Sequence, residues 1–121
     1  MELTKKRCLT SQEENLLEDL IARSNINISP NWKEGLWVSN LNDGGMGSLS
    51  LYPSGVTCEE WDFGCQASEC QFKDLDGVVV LASLYLDKED QLYELDMWKT
   101  DFSPLKEIPE YFQDILYSTH S

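Results

Sequence analysis

Val78-Val79-Val80-Leu81-Ala82-Ser83-Leu84-Tyr85-Leu86, then Asp87-Lys88-Glu89-Asp90-Gln91, then Leu92-Tyr93-Glu94-Leu95-Asp96-Met97-Trp98, is the stretch whose reading decides the fold. In the first run Val78, Val80, Ala82, Leu84 and Leu86 fall on one side of an extended chain and Val79, Leu81, Ser83 and Tyr85 on the other. A strand apolar on both faces belongs inside a sheet. The last run alternates Tyr93, Leu95 and Met97 with Glu94 and Asp96, as a strand with one wet face does. The polar residues between the runs are of hairpin length, so the two strands are expected to pair antiparallel, with two carboxylates side by side on the solvent face.

Working outward, Cys65–Phe72, Gly47–Tyr52 and Leu36–Leu41 are further short β-rich runs bounded by Gly, Asp and Asn. Upstream, Thr10-Ser11-Gln12-Glu13 has the form of a capping box, and Leu16, Leu17, Leu20 and Ile21 follow at helical spacing until Ser24-Asn25 and Ser29-Pro30. Downstream, Pro109 in the first turn of Glu110–Leu116 predicts a short C-terminal helix. The expectation is one α+β domain over residues 1–121, with an N-terminal helix packed on a mainly antiparallel sheet of about five strands. The 41% apolar content is enough for a packed core, so the acidity is not a mark of disorder.

That acidity is the main compositional feature: 22 Asp and Glu against 9 Lys and Arg, a net charge of −13. Residues 1–33 carry five acids and five bases, whereas residues 34–121 carry 17 acids and four bases, so the whole excess lies in the later part. Such a field repels phosphate backbones and anionic lipid and attracts basic proteins. It argues against direct nucleic-acid or membrane binding and for a basic protein partner. No apolar signal core follows Met1–Arg7, and the longest apolar run, residues 77–86, is half of the roughly 20 residues a spanning helix needs. A cytoplasmic location with reduced thiols is expected, since Cys8, Cys58, Cys65 and Cys70 match no zinc spacing.

Catalytic and cofactor chemistry finds little footing. Asp43-Gly44-Gly45-Met46-Gly47-Ser48 lacks the Lys of a phosphate loop and is not followed by a helical pattern, so it reads as a tight turn. Asp74-Leu75-Asp76-Gly77 resembles half a calcium loop without the later ligands and reads as a hairpin turn. The single histidine, His120, is next to last, which removes a His-based triad or metal cluster. Neither a cofactor nor a metal is expected. Glu94, Asp96 and Asp101 keep a carboxylate enzyme open as an alternative, and a non-toxin adaptor domain is another. Trp98 beside Lys99 suggests a structural cation–π contact.

Asp43–Leu49 (DGGMGSL) together with Glu94–Leu105 (ELDMWKTDFSPL), preceded by Arg7-Cys8-Leu9-Thr10 and Leu16-Leu17, resembles the paired signature of a small bacterial domain family of unknown function, over most of residues 7–105. The resemblance implies the company of immunity proteins, which bind and neutralise a cognate toxin delivered between neighbouring cells. Charge supports this from another direction, because an acidic protein of this size can cover the basic cleft of a nuclease. The function expected is therefore immunity: binding of a cognate, basic toxin, with occlusion of its active site or substrate access and no catalysis. Motif residues are expected to hold the fold, and Glu59, Glu60, Trp61, Asp62, Glu69, Asp74 and Asp76, outside the motifs, are the expected partner-binding residues.

Overall fold

A computed structural model describes residues 6–53 and 63–114. It contains one helix, α1 (Ser11–Arg23), and five strands: β1 (Trp37–Asn40), β2 (Leu49–Tyr52), β3 (Phe63–Lys73), β4 (Val79–Asp87) and β5 (Leu92–Lys99). The capping box forms as the sequence predicts: Glu13 N–H donates to Thr10 Oγ1 at 3.1 Å and Thr10 N–H to Glu13 Oε1 at 3.0 Å. Four otherwise unpaired N–H groups begin any helix, and this exchange satisfies two of them while fixing the start. Leu16, Leu17 and Leu20 are fully buried.

The five strands form one antiparallel sheet in the order β1-β2-β5-β4-β3. β4 is paired on both sides, as its two apolar faces require, and β5 occupies the centre. Val80, Ala82, Leu84 and Leu86 join Leu49, Leu51, Leu95 and Met97 on the buried face, under α1, the 24–36 connection and a C-terminal strap. The β5 pattern departs from the predicted alternation at one point. Tyr85 pairs with Glu94 but Leu86 pairs with Leu92, so a bulge at Tyr93 sets one residue out of step and sends Leu92, not Tyr93, into the core.

The C-terminal helix expected from Pro109 is replaced, as far as Asp114, by extended chain, and Ile115 and Leu116 lie outside the described residues. Pro104 and Pro109 disfavour helical geometry in the residues before them. The backbone groups of the strap find partners elsewhere: Lys106 and Glu107 N–H donate to Asp74, and Gln113 exchanges two 2.8 Å bonds with Gln71 on the outer edge of β3. At the opposite edge Arg7 bridges β1 in the same way through Val38. Each edge therefore has some of its ladder covered, which blunts edge-to-edge association. No helix among the described residues is long and apolar enough to cross a membrane.

Candidate functional site

At one end of the sheet the β1–β2 turn, the β3–β4 turn and the chain leaving β5 meet. Asp43 shapes the first of these, its carboxylate accepting from Met46 and Ser48 N–H at 3.1 and 2.9 Å. Gly45 and Gly47 have φ of +84° and +104°, and a Cβ would stand 3.3 Å from Pro104 Cβ and 3.0 Å from Leu105 Cδ2 respectively. Glycine is required there both for its backbone and for the close approach. Ser48 Oγ bonds Met97 on both its N–H and its C=O, at 2.8 and 3.3 Å. The glycine turn and the strap thus hold each other.

Beneath them Lys99 is fully buried. It occupies the same parity of β5 as Leu95 and Met97, so its stem enters the core and its ammonium emerges at this end. Nζ donates to Asp74 Oδ2 at 2.8 Å, Asp76 Oδ2 at 2.7 Å and Pro104 O at 3.0 Å. Burial alone would raise the Asp74 pKa, but Lys99 and the N–H groups of Lys106, Leu75 and Glu107 outweigh it and hold the carboxyl down to about 2. For Lys99 burial works downward and the two carboxylates overcome it, so the ammonium stays charged. This clasp ties strap, hairpin and central strand together. The cation–π contact suggested for Trp98 and Lys99 does not form, because consecutive strand residues point to opposite faces.

Charge is balanced along α1 and not along β5. Every acid of α1 has a cation: Glu13 with Arg7 at 2.9 Å, Asp19 with Arg23, and Glu14 and Glu18 both with Lys33 at 2.7 and 2.8 Å. The sheet face turned away from α1 is different. Register places Ser39 and Ser50, Tyr52, Glu94 and Asp96, Leu81, Ser83 and Tyr85, and Glu69 and Gln71 on it, with Trp37 and Trp98 exposed. Among the described residues no cation pairs with Glu94 or Asp96. Burial raises the pKa of both, reinforced at Glu94 by Asp96 and at Asp96 by Asp43. The surroundings of both carboxylates disfavour their charged form.

Of the residues expected to bind a partner, Glu59, Glu60, Trp61 and Asp62 lie outside the described residues. Glu69 sits opposite Ser83, on the sheet face turned away from α1. Asp74 is buried with its carboxylate engaged in the clasp, and Asp76 reaches the same ammonium from the rim. Asp101, grouped in the sequence with Glu94 and Asp96, is instead in an exposed turn, where its Oδ1 accepts from Ser103 N–H and Oγ. Among the clefts formed elsewhere, two stand out by their position. One of about 470 Å³ lies between the start of α1 and the strap, lined by Gln12, Asn15, Glu107 and Tyr111, and one of about 310 Å³ lies beside Trp32 and Pro53. Neither is lined by Glu94, Asp96 or Asp101. Among the described residues no group of three or more His, Cys, Asp or Glu is placed to hold a metal ion. Cys70 is buried, which pushes its thiol up to about 12, so it is a poor nucleophile.

Fold and site together define a small α+β domain whose helix has its acids paired and whose central strand carries two half-buried carboxylates and an exposed tryptophan on the face turned away from that helix. The chain belongs to a family described as a domain of unknown function (DUF6984), whose model matches residues 6–109. No curated protein and no solved structure matches it.

Proposed function

We propose that this protein is an immunity protein: it binds a basic bacterial toxin and blocks the toxin's active site or the path of its substrate. The observation that carries this reading is the uneven neutralisation of charge. The acids of α1 are paired within the chain, while half-buried Glu94 and Asp96, on the sheet face turned away from α1, have no cation among the described residues. Partly dehydrated carboxylates without a counter-ion lower the stability of the chain alone and become favourable when a cation meets them. A basic protein surface supplies such cations, and the net charge of −13 would steer it in. The resemblance of Asp43–Leu49 and Glu94–Leu105 to domains found among immunity proteins points the same way. Of the expected contact residues, Glu69 shares this face, and Glu59, Glu60, Trp61 and Asp62 belong to the connection that joins β2 to β3. Asp74 and Asp76 contribute by holding the hairpin and strap.

The test is capture with the full-length protein as bait from lysate of the encoding cell, at low and high salt, followed by expression of the captured domain. A basic domain that stops growth when expressed alone, and is harmless when this protein is co-expressed, is the expected result. Recovery of nothing basic at either salt would sink the reading. A carboxylate enzyme built on Glu94 and Asp96 is favoured only by their raised pKa values, and their place on a sheet face, away from Asp101 and from both clefts, weighs against it.

A further inference from the structure

We propose that the docking surface is the part of β5 and its following turn where Trp98 and Phe102 are exposed, and that it takes arginine side chains of the partner, seated on those rings and paired with the carboxylates of Asp96 and Glu94. This inference rests on the partner-binding reading above and adds the surface and the chemistry of recognition. Trp98 is 43% exposed and Phe102 67% exposed, and their ring centroids lie 6.1 Å apart at 47°. Two aromatic side chains thus meet in water and not in the core, the arrangement that marks an energetic anchor at protein interfaces. Phe102 also has φ of +66°, a region that a bulky side chain adopts only at an energetic penalty. The turn itself does not need a ring there. It is closed by the Phe102 N–H to Lys99 C=O bond at 2.7 Å and by Ser103 on Asp101, and a glycine would make the same backbone path without strain.

Trp98, Asp96 and Glu94 alternate along one face of β5, about 7 Å between successive side chains, with Leu81 and Ser83 opposite Trp98 and Asp96 on β4. A cation arriving over Trp98 is therefore within reach of Asp96. Arginine fits this better than lysine, because its planar, weakly hydrated guanidinium can lie on an aromatic face and donate two parallel bonds to one carboxylate. Phosphate-bearing partners carry the wrong sign for the same face.

The test uses isotope-labelled full-length protein and two probes, a short Arg-Gly repeat peptide and its Lys-Gly counterpart, titrated at low salt by nuclear magnetic resonance. The expected shifts concentrate on Glu94–Trp98, Phe102 and the Trp98 indole N–H. The arginine peptide should bind about threefold tighter, because a lysine ammonium also meets the ring but cannot lie flat on it or donate two parallel bonds to one carboxylate. Glu94→Gln with Asp96→Asn, and separately Phe102→Gly, should weaken it several-fold while the remaining sheet resonances stay in place. Shifts that centre on α1 or scatter over all acids, equal binding of the two peptides, or variants that bind as wild type would each overturn the proposal. If a basic domain is still captured in the lysate experiment while this face stays silent, the surface is wrong and the partner-binding reading stands; if neither binds, both fall.

Discussion

Asp74 and Lys99 bear the heaviest structural role of any polar pair in the described chain. Asp74→Ala, which leaves Lys99 with Asp76 and orphans the N–H groups of Lys106 and Glu107, is expected to lose about 1–3 kcal/mol, a large share of the roughly 5–15 kcal/mol that holds a domain folded. Urea unfolding of variant and wild type measures it. The Asp74 pKa falls from an ordinary 3.8 to about 2 on folding, so its contribution is complete above 3.8 and disappears as pH drops toward 2. Glu94 and Asp96 have the opposite sign, because their folded-state values are raised. Their ionisation opposes folding at neutral pH, and that opposition fades as they are protonated. The double variant Glu94→Gln, Asp96→Asn should therefore melt higher than wild type at pH 7, with the advantage gone by about pH 3. Thermal melts at both pH values decide this. Two glycine exchanges separate structural from displayed residues: Gly47→Ala should destabilise by about 1–3 kcal/mol through its φ and its approach to Leu105, whereas Phe102→Gly should leave the melting temperature unchanged or raise it. A Phe102→Gly variant that melts well below wild type would mean that the ring holds the fold.

Among the elements, α1 was legible residue by residue, because a capping box and an i, i+3, i+4 stripe are local signals. All five strands were legible to within two residues, since β-rich runs and their punctuation are local too. The bulge at Tyr93 was not, because it is a property of two strands in register and leaves no trace in the alternation of one. The strap was misjudged for a related reason: the N–H groups of Lys106, Glu107 and Gln113 are satisfied by Asp74 and Gln71, more than 30 residues away, so no local helical bonds are needed. Sheet order predicts local stability. Amides of β4 and β5, paired on both sides, should exchange with solvent most slowly, and those of β1 faster, which hydrogen-exchange measurements will read directly. Leu84→Ala, in the middle of β4, should lose about 2–5 kcal/mol.

For the whole molecule, the consequence is electrostatic. With −13 charges and the α1 acids already paired, association with a basic partner should slow markedly as salt rises, because the screening length shortens to about 8 Å at physiological ionic strength. Stopped-flow association at several salt concentrations tests this, with the dissociation rate expected to change far less. By itself the sequence determined the helix and its start, the five strands, the two turns rich in Gly and Asp, the core-facing residues of β4 and the acid excess of residues 34–121. Each of these is written in neighbours, in a period of two or 3.6, or in a sum. Even Lys99 could have been suspected, since it continues the inward parity of Leu95 and Met97 and a lysine in that position calls for buried acids. Only the tertiary structure decided the order β1-β2-β5-β4-β3, the extended strap, which acids answer Lys99, and that the acids of α1 find cations. Those facts depend on groups as far as 95 residues apart, and periodicity along a chain carries no information about pairing at that distance.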